Sequence, residues 1–214
     1  MSLQPATRTY NALLRDVKRK FGDESGVQLE DADILAWAND GLQQIVTENK
    51  VLRDKITTPT VIGQYEYPLS GESIHQITSL RIGGSPVMNL PFQEAEQTIT
   101  ASDPERTETG TAILWYLWNS TLTLWPTPNA VLPITIFYTR APVPLTGDPL
   151  QVLDMPNKYY PALVAYILQQ AYEMDEDWQA SQAKEAQFKN ALAEQREEDF
   201  LASDLTYPVV IEVD

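Results

Sequence analysis

Cysteine is absent from this 214-residue chain, so neither a disulfide framework nor a thiolate site for metal or nucleophilic chemistry is available. Histidine is nearly absent too: His75 is the one imidazole, and acid-base or nucleophilic catalysis has little else that titrates near neutrality. No GxSxG elbow, GxxxxGK[ST] or GxGxxG phosphate loop, HExxH pair or EF-hand loop occurs. Long apolar runs are missing, and the most apolar windows carry Pro or charges, which speaks against a membrane span. Met1–Tyr10 is polar, without the apolar core of a secretory signal, so a soluble, unexported protein is expected. Basic residues are few, 15 against 30 acidic ones for a net charge of −15. Such a chain repels phosphate over about 8 Å at physiological salt and lacks the cations that drive non-specific nucleic-acid binding.

What is present is a globular composition, 43% hydrophobic with 5 Trp and 10 Tyr, in a telling order. Two amphipathic helical segments come first, then about a hundred residues of strand-like sequence broken by Pro and Gly, then two more helices and a short extended tail. The first helix is expected over Thr7–Phe21, with apolar positions Tyr10, Leu13, Leu14, Val17 and Phe21 at helical spacing and a stop at Gly22. The second begins near Asp31, which can cap it, and its wide stripe through Ile34, Leu35, Trp37, Ala38, Leu42, Ile45 and Val46 should pack on the first. Strands follow in pairs: Ile56–Ile62 and Gln64–Leu69, Gln76–Ile82 and Pro86–Leu90 about Gly83-Gly84, then Thr111–Trp118 and Thr121–Trp125 about Asn119-Ser120. Ile134–Thr139 closes the set, and the surrounding prolines confine this region to short strands and edges.

Helix returns at Tyr160, and the pattern Tyr160, Leu163, Val164, Ile167, Leu168, Ala171, Tyr172 is the cleanest amphipathic stripe in the chain. Asp175, Glu176 and Asp177 then begin a polar last helix as acids favoured by the macrodipole. The expected fold is α+β: a four-helix-type bundle with an inserted antiparallel β-sheet or barrel and an extended C-terminal tail. Its boundaries fall at 1–54 and 155–203 for the helical module, 55–154 for the β domain and 204–214 for the tail.

No catalytic, cofactor-binding or metal-binding set emerges, which argues against an enzyme. His75, at a strand edge, reads as an ordinary structural histidine. Two regions are candidates for contact with partners. Arg15, Lys18 and Arg19, with Lys20 and Arg8, form the sole basic concentration; they make either a solvated helix face, a phosphate site, or a contact with an acidic surface of a neighbouring subunit. Tyr207, Val209, Val210, Ile211 and Val213 form an apolar extended tail that either finishes a sheet in its own subunit or adds a strand to another's edge. Around the last hairpin, alternation places Trp115 and Trp118 on opposite faces, one for the core and one for a surface that a protein or a sugar can use.

The segment Asp31-Ala-Asp-Ile-Leu-Ala-Trp-Ala-Asn-Asp-Gly-Leu-Gln-Gln-Ile-Val46 resembles the second helix of head-to-tail adaptor proteins of tailed bacteriophages, including those related to tail tubular protein A of short-tailed phages. The ordered run Leu124-Trp-Pro-Thr-Pro128, Ile134-Thr-Ile-Phe-Tyr-Thr-Arg-Ala-Pro142, Leu153-Asp-Met-Pro156 and Tyr159-Tyr-Pro-Ala-Leu-Val-Ala-Tyr166 is similar to the same family; residues 57–110 match it least. The resemblance implies a structural virion protein of the neck or tail, made in the host cytoplasm. It implies a ring, usually of twelve copies, between the portal protein and the other tail proteins, with no membrane or cofactor. DNA would pass through the ring without specific binding. The alternative is a carbohydrate- or protein-binding module that uses an exposed aromatic patch.

Overall fold

Helix and strand signals sort the chain into five helices and nine strands among the residues that the computed structural model describes, 8–69 and 74–204. The helices are α1 (Tyr10–Phe21), α2 (Asp31–Asn49), α3 (Phe92–Ser102), α4 (Tyr160–Met174) and α5 (Trp178–Asp204). The strands are β1 (Arg53–Pro59), β2 (Glu66–Pro68), β3 (Ile74–Ile82), β4 (Ser85–Asn89), β5 (Thr109–Gly110), β6 (Leu114–Trp118), β7 (Thr121–Trp125), β8 (Thr127–Pro128) and β9 (Pro133–Arg140). They fall into two compact units: one takes the described residues up to Val51 and from Pro142 onwards, the other runs from Leu52 to Ala141. The fold is α+β, as the order of the elements predicts.

In the helical unit the ends are set by local chemistry. Thr9 Oγ1 accepts the Ala12 amide and starts α1, and Gly22, at φ 95°, lets the chain leave the helix in a left-handed turn that a side chain would oppose. At the start of α2 the expectation fails: Glu30 is the cap residue and makes no side-chain cap bond, while Asp31 stands inside the first turn and its carboxylate holds Lys18 Nζ at 2.5 Å. A charge partner on α1 outbids the local amides. Of the three acids expected to begin the last helix, Asp177 directly precedes α5 and accepts the Ala180 amide at 3.0 Å, whereas Asp175 ends α4 and Glu176 stands in the turn between them at φ 60°.

The stripe of α4 lies at the centre of this unit. Leu163, Val164, Ile167, Leu168 and Ala171 are buried, and they share one apolar cluster with Tyr10, Leu13 and Val17 of α1, Ile34, Leu42 and Ile45 of α2, and Phe188 and Leu192 of α5. Removing each such leucine or isoleucine from water contributes about 1.5–3 kcal/mol. The main neighbour of α2 is α4 rather than α1, a second departure from expectation. Gly41 makes that approach possible: a Cβ there would stand 2.8 Å from both Leu163 Cδ1 and Tyr166 Cδ1. Asn39 holds the loop after Pro142 by a reciprocal pair of bonds with the Leu145 backbone. Buried Asn49 donates to the Leu192 carbonyl at 2.9 Å, tying the end of α2 to α5.

The β unit departs from an all-antiparallel sheet. Seven strands line up in the order β1-β9-β3-β4-β6-β7-β2, and the β4–β6 pair is parallel; β5 and β8 form a separate parallel pair. The reason is α3, a helix that the sequence pattern did not reveal. Parallel neighbours need a long crossover rather than a hairpin, and α3 lies in the connection from β4 to β6. It buries Ala95 and Ile99 with Leu114, Tyr116 and Trp125. The sheet curls so that residues of β3, β6, β7 and β9 meet in a second cluster, including Leu80, Trp115, Leu122, Leu124, Ile134 and Ile136. Two of the three expected strand pairs form hairpins, at Gly83-Gly84 and Asn119-Ser120, all four at positive φ, as a two-residue turn between twisted strands requires. The strands on either side of Gly63 do not pair with each other, β1 joining β9 and β2 joining β7. The tail from residue 205 onwards lies outside the described residues, and no helix among them is long and apolar enough to cross a membrane.

Because α2 and α4 meet at Gly41, Gly41→Val should lower the unfolding free energy in urea by about 1–3 kcal/mol, the usual cost of overpacking. Unchanged stability would mean that this approach is looser than described.

Candidate functional site

The basic concentration read from the sequence becomes one wall of a shallow cavity of about 470 Å³ on α1. The helical period brings Asn11, Leu14, Arg15, Lys18 and Arg19 to the same side, the loop after α1 adds Glu24, and the first turn of α2 adds Asp31. Not all of the positive charge is available. Lys18 is paired with Asp31, and Arg19 reaches Asp16 at a loose 3.5 Å. Arg15 and Lys20 make no hydrogen bond or ion pair among the described residues, so their cations face solvent.

Beneath this surface the polar groups are structural. Tyr160 Oη donates to Asp16 at 2.8 Å, and the Arg8 guanidinium lies 4.6 Å above the Tyr160 ring. Burial, reinforced by the neighbouring Asp16 carboxylate, pushes the Tyr160 phenol well above its ordinary value. Tyr10 Oη donates to the Asp31 carbonyl at 3.0 Å, and burial with the Asp31 charge pushes its phenol to about 12. Both stay protonated near neutrality and serve as fixed donors, which suits a rigid surface.

The loop that borders the cavity is built around Asp23, a residue that no motif of the sequence singles out. One carboxylate oxygen accepts the Val27 amide at 2.9 Å and the Ser25 hydroxyl at 3.1 Å; the other accepts the amides of Gln28 and Leu29 at 2.9 and 2.8 Å. These bonds, that of Leu29 foremost and against the opposing effect of burial, hold the Asp23 carboxyl down to about 2. The available signal was Asp-Glu-Ser-Gly, an acid followed by turn formers just past a helix stop. Gly26 completes the fit, since a Cβ there would lie 2.8 Å from Lys18 Nζ.

The remaining candidates distribute plainly. His75 is exposed on β3. Among the described residues no cluster of His, Cys, Asp or Glu has the makings of a metal site. Trp115 is buried and donates its indole N–H to the Val87 carbonyl at 3.2 Å, whereas Trp118, three residues on and therefore on the opposite face, is 59% exposed. Tyr207, Val209, Val210, Ile211 and Val213 lie outside the described residues. Arg15, Lys18 and Arg19 are brought together on one face.

Against known protein families, the model described as SU10 adaptor protein matches residues 8–209, both units included. No curated protein matches the chain.

The Asp23 geometry predicts an acid dependence. Its folded carboxyl titrates near 2, below the ordinary unfolded value of about 3.9, so its contribution to stability is complete above about pH 4 and lost as pH falls towards about 2. Thermal midpoints measured across that window should fall more steeply for the wild type than for Asp23→Asn. Parallel curves would contradict the role given to Asp23.

Proposed function

The chain belongs to the SU10 adaptor protein family, phage structural adaptors of the virion, and on that premise we propose that copies of it form a ring joining the portal protein to the tail. The observation that carries this reading is the extent of the family match, which runs through the helical unit and the β unit alike. In this reading the helical unit docks on the portal and on neighbouring copies, and the β unit meets the next tail protein. The likeness to the tail tubular protein A group, and the ring of twelve that it implies, belong to the same proposal.

The physical chemistry gives each part a use. With 30 acidic and 15 basic residues, a second copy carries twice as many carboxylates as cations, and the exposed cations of Arg15 and Arg19 on α1 are suited to meet them. Heterologous contacts of this kind, one patch against a different patch, close into rings. The same acidic balance suits a channel wall, because DNA passing through must not be gripped by its phosphates. The apolar tail, Tyr207 to Val213, adds a strand to a neighbour in this scheme and satisfies backbone groups while burying apolar area. Synthesis in the host cytoplasm followed by incorporation at the neck is the corresponding itinerary. Catalysis has no part in it.

The test is co-sedimentation with portal rings of the same virion. The full chain should bind them, and both Arg15→Glu/Arg19→Glu and truncation after Ser203 should weaken assembly by about tenfold or more, equivalent to about 1.4 kcal/mol or more, while circular dichroism stays unchanged. Assembly indifferent to both variants would remove α1 and the tail from the interface.

A further inference from the structure

One cavity on the β unit is used by nothing described above. It measures about 330 Å³ and lies between the start of α3, the loop that carries Arg106 and the β6–β7 hairpin. Its platform is Trp118. One face of that indole stacks on Phe92, with centroids 4.3 Å apart and planes 22° apart, and Phe92 is in turn set edge-on against Tyr116. The stack fixes the ring, so the 59% exposure of Trp118 belongs to its other face and edge. A turn of Asn119 and Ser120 does not require a tryptophan before it, and this one presents an aromatic plane at the rim of a polar cavity.

The wall beside the platform is polar and built. Tyr116 Oη donates to Glu96 Oε1 at 2.5 Å, and Arg106 Nη2 donates to the same carboxylate and to Tyr116 Oη at 3.1 Å. Both bonds to the carboxylate end on Oε1. Oε2 of Glu96, and Nε and Nη1 of Arg106, have no hydrogen-bond partner among the described residues. The guanidinium also lies 5.4 Å over the Tyr65 ring. Arg106 occupies this place at φ 52°, a left-handed conformation that a long side chain adopts only when its surroundings impose it. Asp103 imposes it: its carboxylate accepts the Thr107 and Glu108 amides at 2.9 and 2.7 Å, and its carbonyl accepts the Arg106 amide at 3.0 Å.

This chemistry selects a ligand class. The Arg106–Glu96 pair neutralises itself, and Glu66 at the edge leaves a slight negative excess, so an anion is disfavoured; the guanidinium inside the cavity disfavours a second cation. What remains is an aromatic plane, a carboxylate acceptor, a fork of N–H donors, the Asn119 amide and the Thr121 hydroxyl. A neutral ring with one C–H face and several hydroxyls at its edge uses all of them at once. We propose that this cavity binds a neutral saccharide, with Trp118 as the stacking platform and Glu96, Arg106 and Asn119 as the hydrogen-bonding wall. The proposal is independent of ring formation.

The experiment titrates the full chain with a panel of neutral mono- and oligosaccharides, including glucose, galactose, mannose and N-acetylglucosamine oligomers, followed by tryptophan fluorescence and saturation-transfer NMR. At least one should give a saturable response. Trp118→Ala should weaken it tenfold or more while circular dichroism stays unchanged, the lost stack on Phe92 lowering the thermal midpoint only modestly. Asn119→Gly, which keeps the positive-φ turn and removes the amide, should weaken it measurably. Absence of any response across the panel, or wild-type affinity in Trp118→Ala, overturns the proposal. So does a Trp118→Ala variant that loses binding to another virion protein while no sugar binds the wild type, because the platform would then be a protein contact. A saturable, Trp118-dependent response in a chain that joins no portal ring would leave this site standing and count against the adaptor ring alone.

Discussion

The helical unit depends on the burial of α4. Two stretches of chain separated by the whole β unit have to be brought together, and α4 is the element on which both converge: its stripe from Leu163 to Ala171 shares one cluster with α1 and α2 from the first stretch and with α5 from its own. The closest approach is at Gly41, where the absence of a side chain lets α2 lie against Leu163 and Tyr166. Polar bonds then lock what packing has placed. The Asn49 side chain donates to the Leu192 carbonyl and Arg196 donates to the Glu48 carbonyl, so one free carbonyl in the last turn of α2 is satisfied by α5 rather than by water.

The β unit solves a different constraint. A sheet of short, proline-flanked strands is poor at covering both of its faces, and here the curl closes one face on itself while α3 covers part of the other through Ala95 and Ile99. Inserting a helix between β4 and β6 is what makes their pairing parallel. Beside the first turns of α3 the outer face of the hairpin is left open, and Trp118 and the Arg106–Glu96 pair lie in that opening.

Features carried by local chemistry were legible in the sequence. The α4 stripe, the stop at Gly22 and the turns at Gly83-Gly84 and Asn119-Ser120 each rest on residues within a few positions of one another, and each appears in the structure. Features carried by distant partners were not. Helix α3 buries only Ala95 and Ile99 fully, too thin a stripe to stand out among strand-like neighbours. Asp31 looked like a cap until Lys18, thirteen residues earlier, claimed its carboxylate. The candidate sites divide in the same way. Arg15, Lys18 and Arg19 are close in sequence and therefore visible, whereas Glu96, Arg106 and Tyr116 are spaced ten residues apart and meet only in the folded unit. Asp23 falls between the two cases, a local cage whose donors, Val27, Gln28 and Leu29, are backbone amides that no side-chain pattern announces.

These features suit a part made to fit other parts: phenol-anchored helices and exposed cations on a strongly acidic chain. Adaptor family membership and this surface chemistry converge on assembly as the protein's role. The most direct measurement is the native mass of the full chain mixed with portal rings of its own virion. The account predicts a closed complex with one adaptor copy per portal subunit. A chain that remains monomeric and leaves the mass of the portal ring unchanged would contradict it.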